Sequence, residues 1–227
     1  NLNGKFEEAI EMAMNRKFHP WEGGEGKITT QYINSKIELG KQYIELGQYE
    51  KAVQSIKDSF EYPENFAEGK LLGAQENNKN YYLACAFEKL EARDKMREHL
   101  LLASTGLSEP TSAMFYNDQP PEMIYYQGLA LKKLEKQEEA DHRFNKLISY
   151  AENHRNDHVI IDYFAVSLPD FLVFEDDLQK KNEIHCLFMM ALGYLGLELK
   201  EDARNCFEKV LRLDNAHQGA LMHYCGK

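Results

Sequence analysis

Small and apolar positions recur along this chain in a fixed order. Leu39, Gly40 and Tyr43 place a small residue and an aromatic one within a helical turn of each other, and Ala52 and Ile56 follow on a second segment. The small residues Gly40 and Ala52 stand 12 apart. The same separation of 12 joins Ala84 to Met96, Gly128 to Ala140 and Ala191 to Ala203, with Phe87, Leu131 and Tyr194 in the place of Tyr43. Residues three or four apart share one face of a helix. The pattern therefore predicts four pairs of antiparallel helices. A small residue at the crossing lets the axes approach to about 8–10 Å, and the larger residue one turn on fills the groove. Gly47 lies between the two segments of its pair, where a residue of positive φ ends a helix.

The position marked by Ala52 recurs at Ala9, Ala52, Met96, Ala140 and Ala203, at intervals of 43, 44, 44 and 63 residues. Units are expected near 33–66, 77–110, 121–154 and 184–217. One helix pair cannot bury its apolar face alone, so the units are expected to stack as a single array over 1–227. Gly4, Phe6 and Ala9 repeat Gly47, Tyr49 and Ala52 at an offset of 43, so 1–16 reads as a second helix without its first. The expectation drawn from this is a C-terminal piece of a longer polypeptide. Residues 218–227 read as the start of one more helix, serving as a cap.

The order Leu39-Gly40-x-x-Tyr43 followed by Ala52-x-x-x-Ile56 resembles the tetratricopeptide repeat, although the Trp of that pattern is missing from every unit. The resemblance implies an all-α fold, an α-α superhelix or tetratricopeptide-repeat solenoid. A standard repeat has about 34 residues. Each junction here therefore carries about ten extra residues, and the last, 155–183, about thirty. The first two inserts are alike: HPWEGGEGK (19–27) aligns with YPENFAEGK (62–70), Pro20 with Pro63 and Glu25-Gly26-Lys27 with Glu68-Gly69-Lys70. Pro stops a helix and Gly permits the turn into the next. Such inserts are either spacers or ligand-facing loops.

At the level of whole segments, 19–27, 115–130, 162–178 and 185–197 are similar to the C-terminal repeat region of large bacterial proteins. In those proteins a domain of unknown function with a galactose-mutarotase-like β-sandwich precedes tetratricopeptide repeats. This resemblance implies a bacterial context and a link to carbohydrate through the preceding domain. It brings no catalytic residues.

The net charge of −10, with no basic stripe, argues against nucleic acid and anionic membrane as partners. No apolar run reaches the roughly 18–20 residues of a membrane span. The first residues carry no basic region ahead of an apolar stretch. The expected location is cytoplasmic, with a leader on a preceding part left open. Cys85, Cys186, Cys206 and Cys225 form no C-x-x-C pair and read as free thiols acting as small apolar residues.

Chemistry-bearing residues are scattered. No nucleophile elbow, zincin or Walker-type motif occurs, and WEGGEGK lacks the Ser or Thr that a phosphate loop needs. His217, His223 and Cys225, with His185 beside Cys186, match no zinc spacing. No catalytic residue, cofactor or metal is therefore expected. The leading reading is a non-catalytic scaffold that docks a protein partner or the N-terminal domain of its own polypeptide. The alternative is a carbohydrate-binding part of a carbohydrate-active protein. Candidate contacts are His19, Trp21, Glu22 and Glu25 in the first insert, Tyr116, Asn117 and Asp118 in the third, and Asp162 and Asp170 in the fourth. Loop aromatics beside carboxylates suit sugar stacking and hydrogen bonding; Asp118, Asp162 and Asp170 suit Asx turns or helix caps equally well.

Overall fold

A computed structural model describes residues 1–20, 24–112, 118–159 and 177–224. The chain divides into two compact bodies, Asn1–Thr105 and Gly106–Lys227. Ten α-helices and a single 3-10 turn, with no strand, form among the described residues. The expected all-α repeat of helix pairs is what forms. In the first body these are α1 (Phe6–Met14), α2 (Lys27–Glu45), α3 (Tyr49–Asp58), the 3-10 turn (Glu64–Phe66), α4 (Asn77–Lys89) and α5 (Arg93–Ser104). The second body holds α6 (Pro121–Lys133), α7 (Gln137–His154), α8 (Leu178–Gly196), α9 (Lys200–Leu213) and α10 (Gln218–His223). The first helix of each pair, A, is α2, α4, α6 or α8, and the second, B, is α3, α5, α7 or α9.

Small residues set the A–B crossings. A Cβ on Gly40 would stand 2.5 Å from Ile56 Cγ1, and one on Gly128 would collide with the Phe144 ring. Ile56 and Phe144 are fully buried as a result. Between pairs the approach is equally close. A Cβ on Gly193 would lie 2.8 Å from the Phe144 carbonyl, so α8 seats directly on the backbone of α7.

The turn from A to B has one geometry in all four pairs. The amides of Gln48, Ala92, Lys136 and Leu199 donate to the carbonyls of Tyr43, Phe87, Leu131 and Tyr194 at 2.8–3.0 Å. These six-to-one bonds are the helix-ending loop that needs a left-handed residue at its bend. Gly47 occupies that bend at φ 71°. In the other pairs the bend falls to Glu91, Glu135 and Glu198 at φ 56°, 63° and 64°.

In the first body α3 packs against both α2 and α4, and in the second α7 packs against both α6 and α8. The two A helices of each body also touch each other, α2 with α4 and α6 with α8. Within each body the two A helices thus form one layer with a seam between them.

The second insert proves to be a wedge. Phe66 is fully buried between Phe18 and Tyr32, with ring centroids 5.7 and 5.4 Å away. Asn65 Nδ2 donates to the carbonyls of Ala13 at 3.0 Å and Arg16 at 2.6 Å, which closes the end of α1. One Glu68 oxygen accepts the Gly26 amide at 2.8 Å and the other accepts the Thr29 hydroxyl, so a carboxylate sits at the positive end of α2. Side-chain amides close other B helices in the same way. Asn77 donates to Ala103 and Thr105, and Asn182 to His154 and Arg155.

Candidate interaction site

The A-helix seam is where polar and aromatic side chains gather. In the first body Lys41 of α2 lies 2.7 Å from Glu38 and 5.3 Å from the centroid of the Tyr82 ring on α4. Burial by itself would lower the Lys41 ammonium, but Tyr82 and Glu38 outweigh it and hold the pKa above that of ordinary lysine. Lys41 therefore presents a fixed positive charge at a seam it only half closes.

Lys79 of α4, by contrast, is a charge the fold keeps for itself. It is 3% exposed, its Nζ lies 3.0 Å from Glu76, and the Phe60 and Tyr62 rings stand 5.1 and 5.9 Å from it. Lys70 pairs with the same Glu76 oxygen at 2.6 Å. Burial pulls Lys79 below ordinary lysine despite the pull of Glu76 the other way. Every side of this cation is filled, so it offers nothing to a ligand.

In the second body, α10 lies over the seam of α6 and α8. Tyr126 Oη and His223 Nε2 are 3.0 Å apart, and His223 Nδ1 lies 2.8 Å from the Gly219 carbonyl. Nδ1 donates to the Gly219 carbonyl, and Nε2 shares the second bond with the Tyr126 hydroxyl. His217 caps the helix by accepting the Ala220 amide at Nδ1, 3.0 Å away, and its ring packs 4.7 Å from that of Phe188 on α8. Burial lowers the pKa of His217. Gly219 passes so close that a Cβ there would lie 2.6 Å from Phe188 Cζ and 2.9 Å from Glu122 Oε1. Among the described residues the Glu122 carboxyl meets only its own backbone amide as donor, and burial pushes its pKa up to about 7.

The residues singled out from the sequence are placed differently. His19 is exposed and Glu25 half-buried in the first body; Asp118 is half-buried in the second. Asp118 lies near Tyr150 and His185, and burial, the largest influence, raises the former and lowers the latter. The expectations at Trp21, Glu22, Tyr116, Asn117, Asp162 and Asp170 fall outside the described residues. Sequence reasoning missed Glu122, Tyr126 and Phe188, and it weighed His217 and His223 only as metal ligands. Among the described residues no three His, Cys, Asp or Glu are grouped to hold a metal ion. No described helix is long and apolar enough to cross a membrane.

The family-model comparison agrees with the helix-pair architecture. The tetratricopeptide repeat family model matches residues 33–66 and 184–217, which are the first and fourth units. The crystal structure of MamA is similar at a TM-score of 0.29 and 18% identity, over 94% of this chain and 91% of that one. The fold class is all-α, of the tetratricopeptide-repeat type, an architecture associated with protein–protein interaction.

Proposed function

We propose that this chain is a non-catalytic interaction scaffold that docks a protein partner, either a separate chain or another domain of its own polypeptide, on its A-helix face. The observation that carries this is the first-body seam. Lys41, Glu38 and Tyr82 bring a cation, a carboxylate and an aromatic ring together on the A layer, half-buried and rigidly held. Such a set matches a peptide or protein surface by charge and by stacking, and the rigid helices lower the ordering cost of binding. Nothing in it supplies a nucleophile with an adjacent base.

Photo-crosslinking in the native cell tests the reading. A crosslinking residue replaces Lys41, Tyr82 or, as a back-face control, the exposed Gln54 of α3. The expected outcome is protein crosslinks from positions 41 and 82, with little from 54. Equal yields at all three, or none at 41 and 82, would overturn the proposal.

A further inference from the structure

We infer that the seam between α6 and α8 is a peptide groove held shut by the chain's own segment His217–Tyr224, and that a partner presenting a basic side chain to Glu122 displaces that segment. The inference rests on the scaffold reading and names the partner's chemistry.

The segment is short and depends on what it packs against. α10 has six residues, too few to be helical without external support. Its order comes from contacts with the helices beneath: His223 with Tyr125, Tyr126 and Phe188, His217 with Phe188, the buried Ala220, and Gly219 lying flat over Phe188 and Glu122. Tyr224 adds a bond to Glu208 on α9 at 3.2 Å. Leu221 stays 40% exposed. Such a segment can open locally without unfolding of the whole body.

The seat is imperfect at one point, and that point defines the competitor. Gly219 brings no side chain to the Glu122 carboxyl beneath it. Among the described residues its one donor is its own backbone amide, so the self-bound state recovers only part of the desolvation cost of this partly buried carboxyl. A lysine or arginine entering from a competing peptide would give Glu122 a charge-assisted hydrogen bond. The rings of Phe188 and Tyr126 beside it would add cation–π attraction. The overall charge of −10 favours the approach of such a peptide over an acidic one.

The full chain tests this, with a fluorescein-labelled decapeptide of alternating Ala and Lys as probe and its Glu counterpart as control, at physiological salt. Gly219→Val cannot be seated and should release the segment. Expected are amides 218–224 that exchange at least about tenfold faster, and Lys-peptide affinity at least about tenfold above wild type, because the competent fraction rises. Glu122→Gln in the same background should abolish the gain, whereas Glu201→Gln on exposed α9 should not. The inference is overturned if exchange at 218–224 does not change. It is equally overturned if release brings no gain in affinity, if Glu122→Gln leaves the gain intact, or if the Glu peptide binds as well. Should Gly219→Val unfold the second body, His223→Ala provides a gentler release. If that variant also unfolds it, the segment is a structural cap and the inference fails. None of these outcomes touches crosslinking at Lys41, so the scaffold reading stands or falls separately.

Discussion

Three glutamates hold a backbone conformation that suits glycine, and replacing them should stabilise the chain. Glu91, Glu135 and Glu198 stand at φ 56–64° at the bend where Gly47 stands in the first unit. An L-residue in the left-handed region costs roughly 1–2 kcal/mol from the contact between Cβ and the carbonyl. Glycine removes that cost but gains freedom in the unfolded chain, which returns about 0.4–1 kcal/mol. Glu91→Gly and Glu135→Gly should therefore each stabilise by ~0.5–1 kcal/mol. Glu198 differs because its carboxylate pairs with Lys132 at 2.8 Å, so Glu198→Gly should gain less. The assay is urea unfolding followed by circular dichroism, read as a shift in midpoint at constant slope. Glu98→Gly, exposed in the interior of α5, is the control and should destabilise by about 0.5–1 kcal/mol. If Glu91→Gly and Glu135→Gly prove neutral or destabilising, no strain is stored at these bends, and the shared turn geometry does not have the energetic meaning assigned to it.

Three further expectations follow from the packing and the site. Phe66→Ala should cost about 3–5 kcal/mol, because it empties the contact with Phe18 and Tyr32; a loss below ~1 kcal/mol in chemical denaturation would mean the second insert is not a wedge. Glu122→Gln should flatten the pH dependence of stability between pH 4.5 and about 7. The folded acid keeps its proton across that window while the unfolded one loses it, so wild-type stability falls as pH rises through it and stays reduced above. Because Glu122 keeps part of its surface in water, the variant should gain ~2 kcal/mol at pH 8 rather than the full linkage value, and nothing at pH 4; identical profiles for the two proteins would refute this. Trp21 is the single tryptophan, so its emission reports on the first insert alone. On the scaffold reading, millimolar mono- and oligosaccharides leave that emission unchanged, and a saturable shift would favour the carbohydrate alternative.

How much of this was legible in the sequence depends on whether the cause was local. The 12-residue separation from Gly40 to Ala52 and from Gly128 to Ala140 survives in the sequence because a Cβ at either glycine would collide with Ile56 or Phe144. Steric exclusion at a crossing leaves a compositional mark. The bends at Glu91, Glu135 and Glu198 leave none, since a glutamate carries no sign of positive φ; only their register with Gly47 gives them away. α6 begins at Pro121, where proline's missing N–H costs no hydrogen bond. The role of the second insert was not readable. Its resemblance to the first insert is visible, but whether Phe66 faces a ligand or fills the cleft of α1 and α2 depends on contacts with Ala13 and Phe18, some fifty positions away.

The candidate site lay further out of reach for the same reason. Tyr126 and His223 are 97 positions apart and carry no shared motif. What separates this site from the rest of the molecule is how the fold treats buried charge. Taking an ion out of water is costly unless it is paired and hydrogen-bonded. Around Lys79 that condition is met by Glu76, Phe60 and Tyr62 from the same body. Around Glu122 the described residues supply only its own backbone amide, and no side chain fits at Gly219, where a Cβ would collide with Phe188 and the carboxyl itself. A glycine at that point permits close approach and gives up the pairing. Full pairing of the Lys79 cation and sparse pairing of Glu122, beneath a helix of six residues, is the expected pattern if the missing donor belongs to a partner.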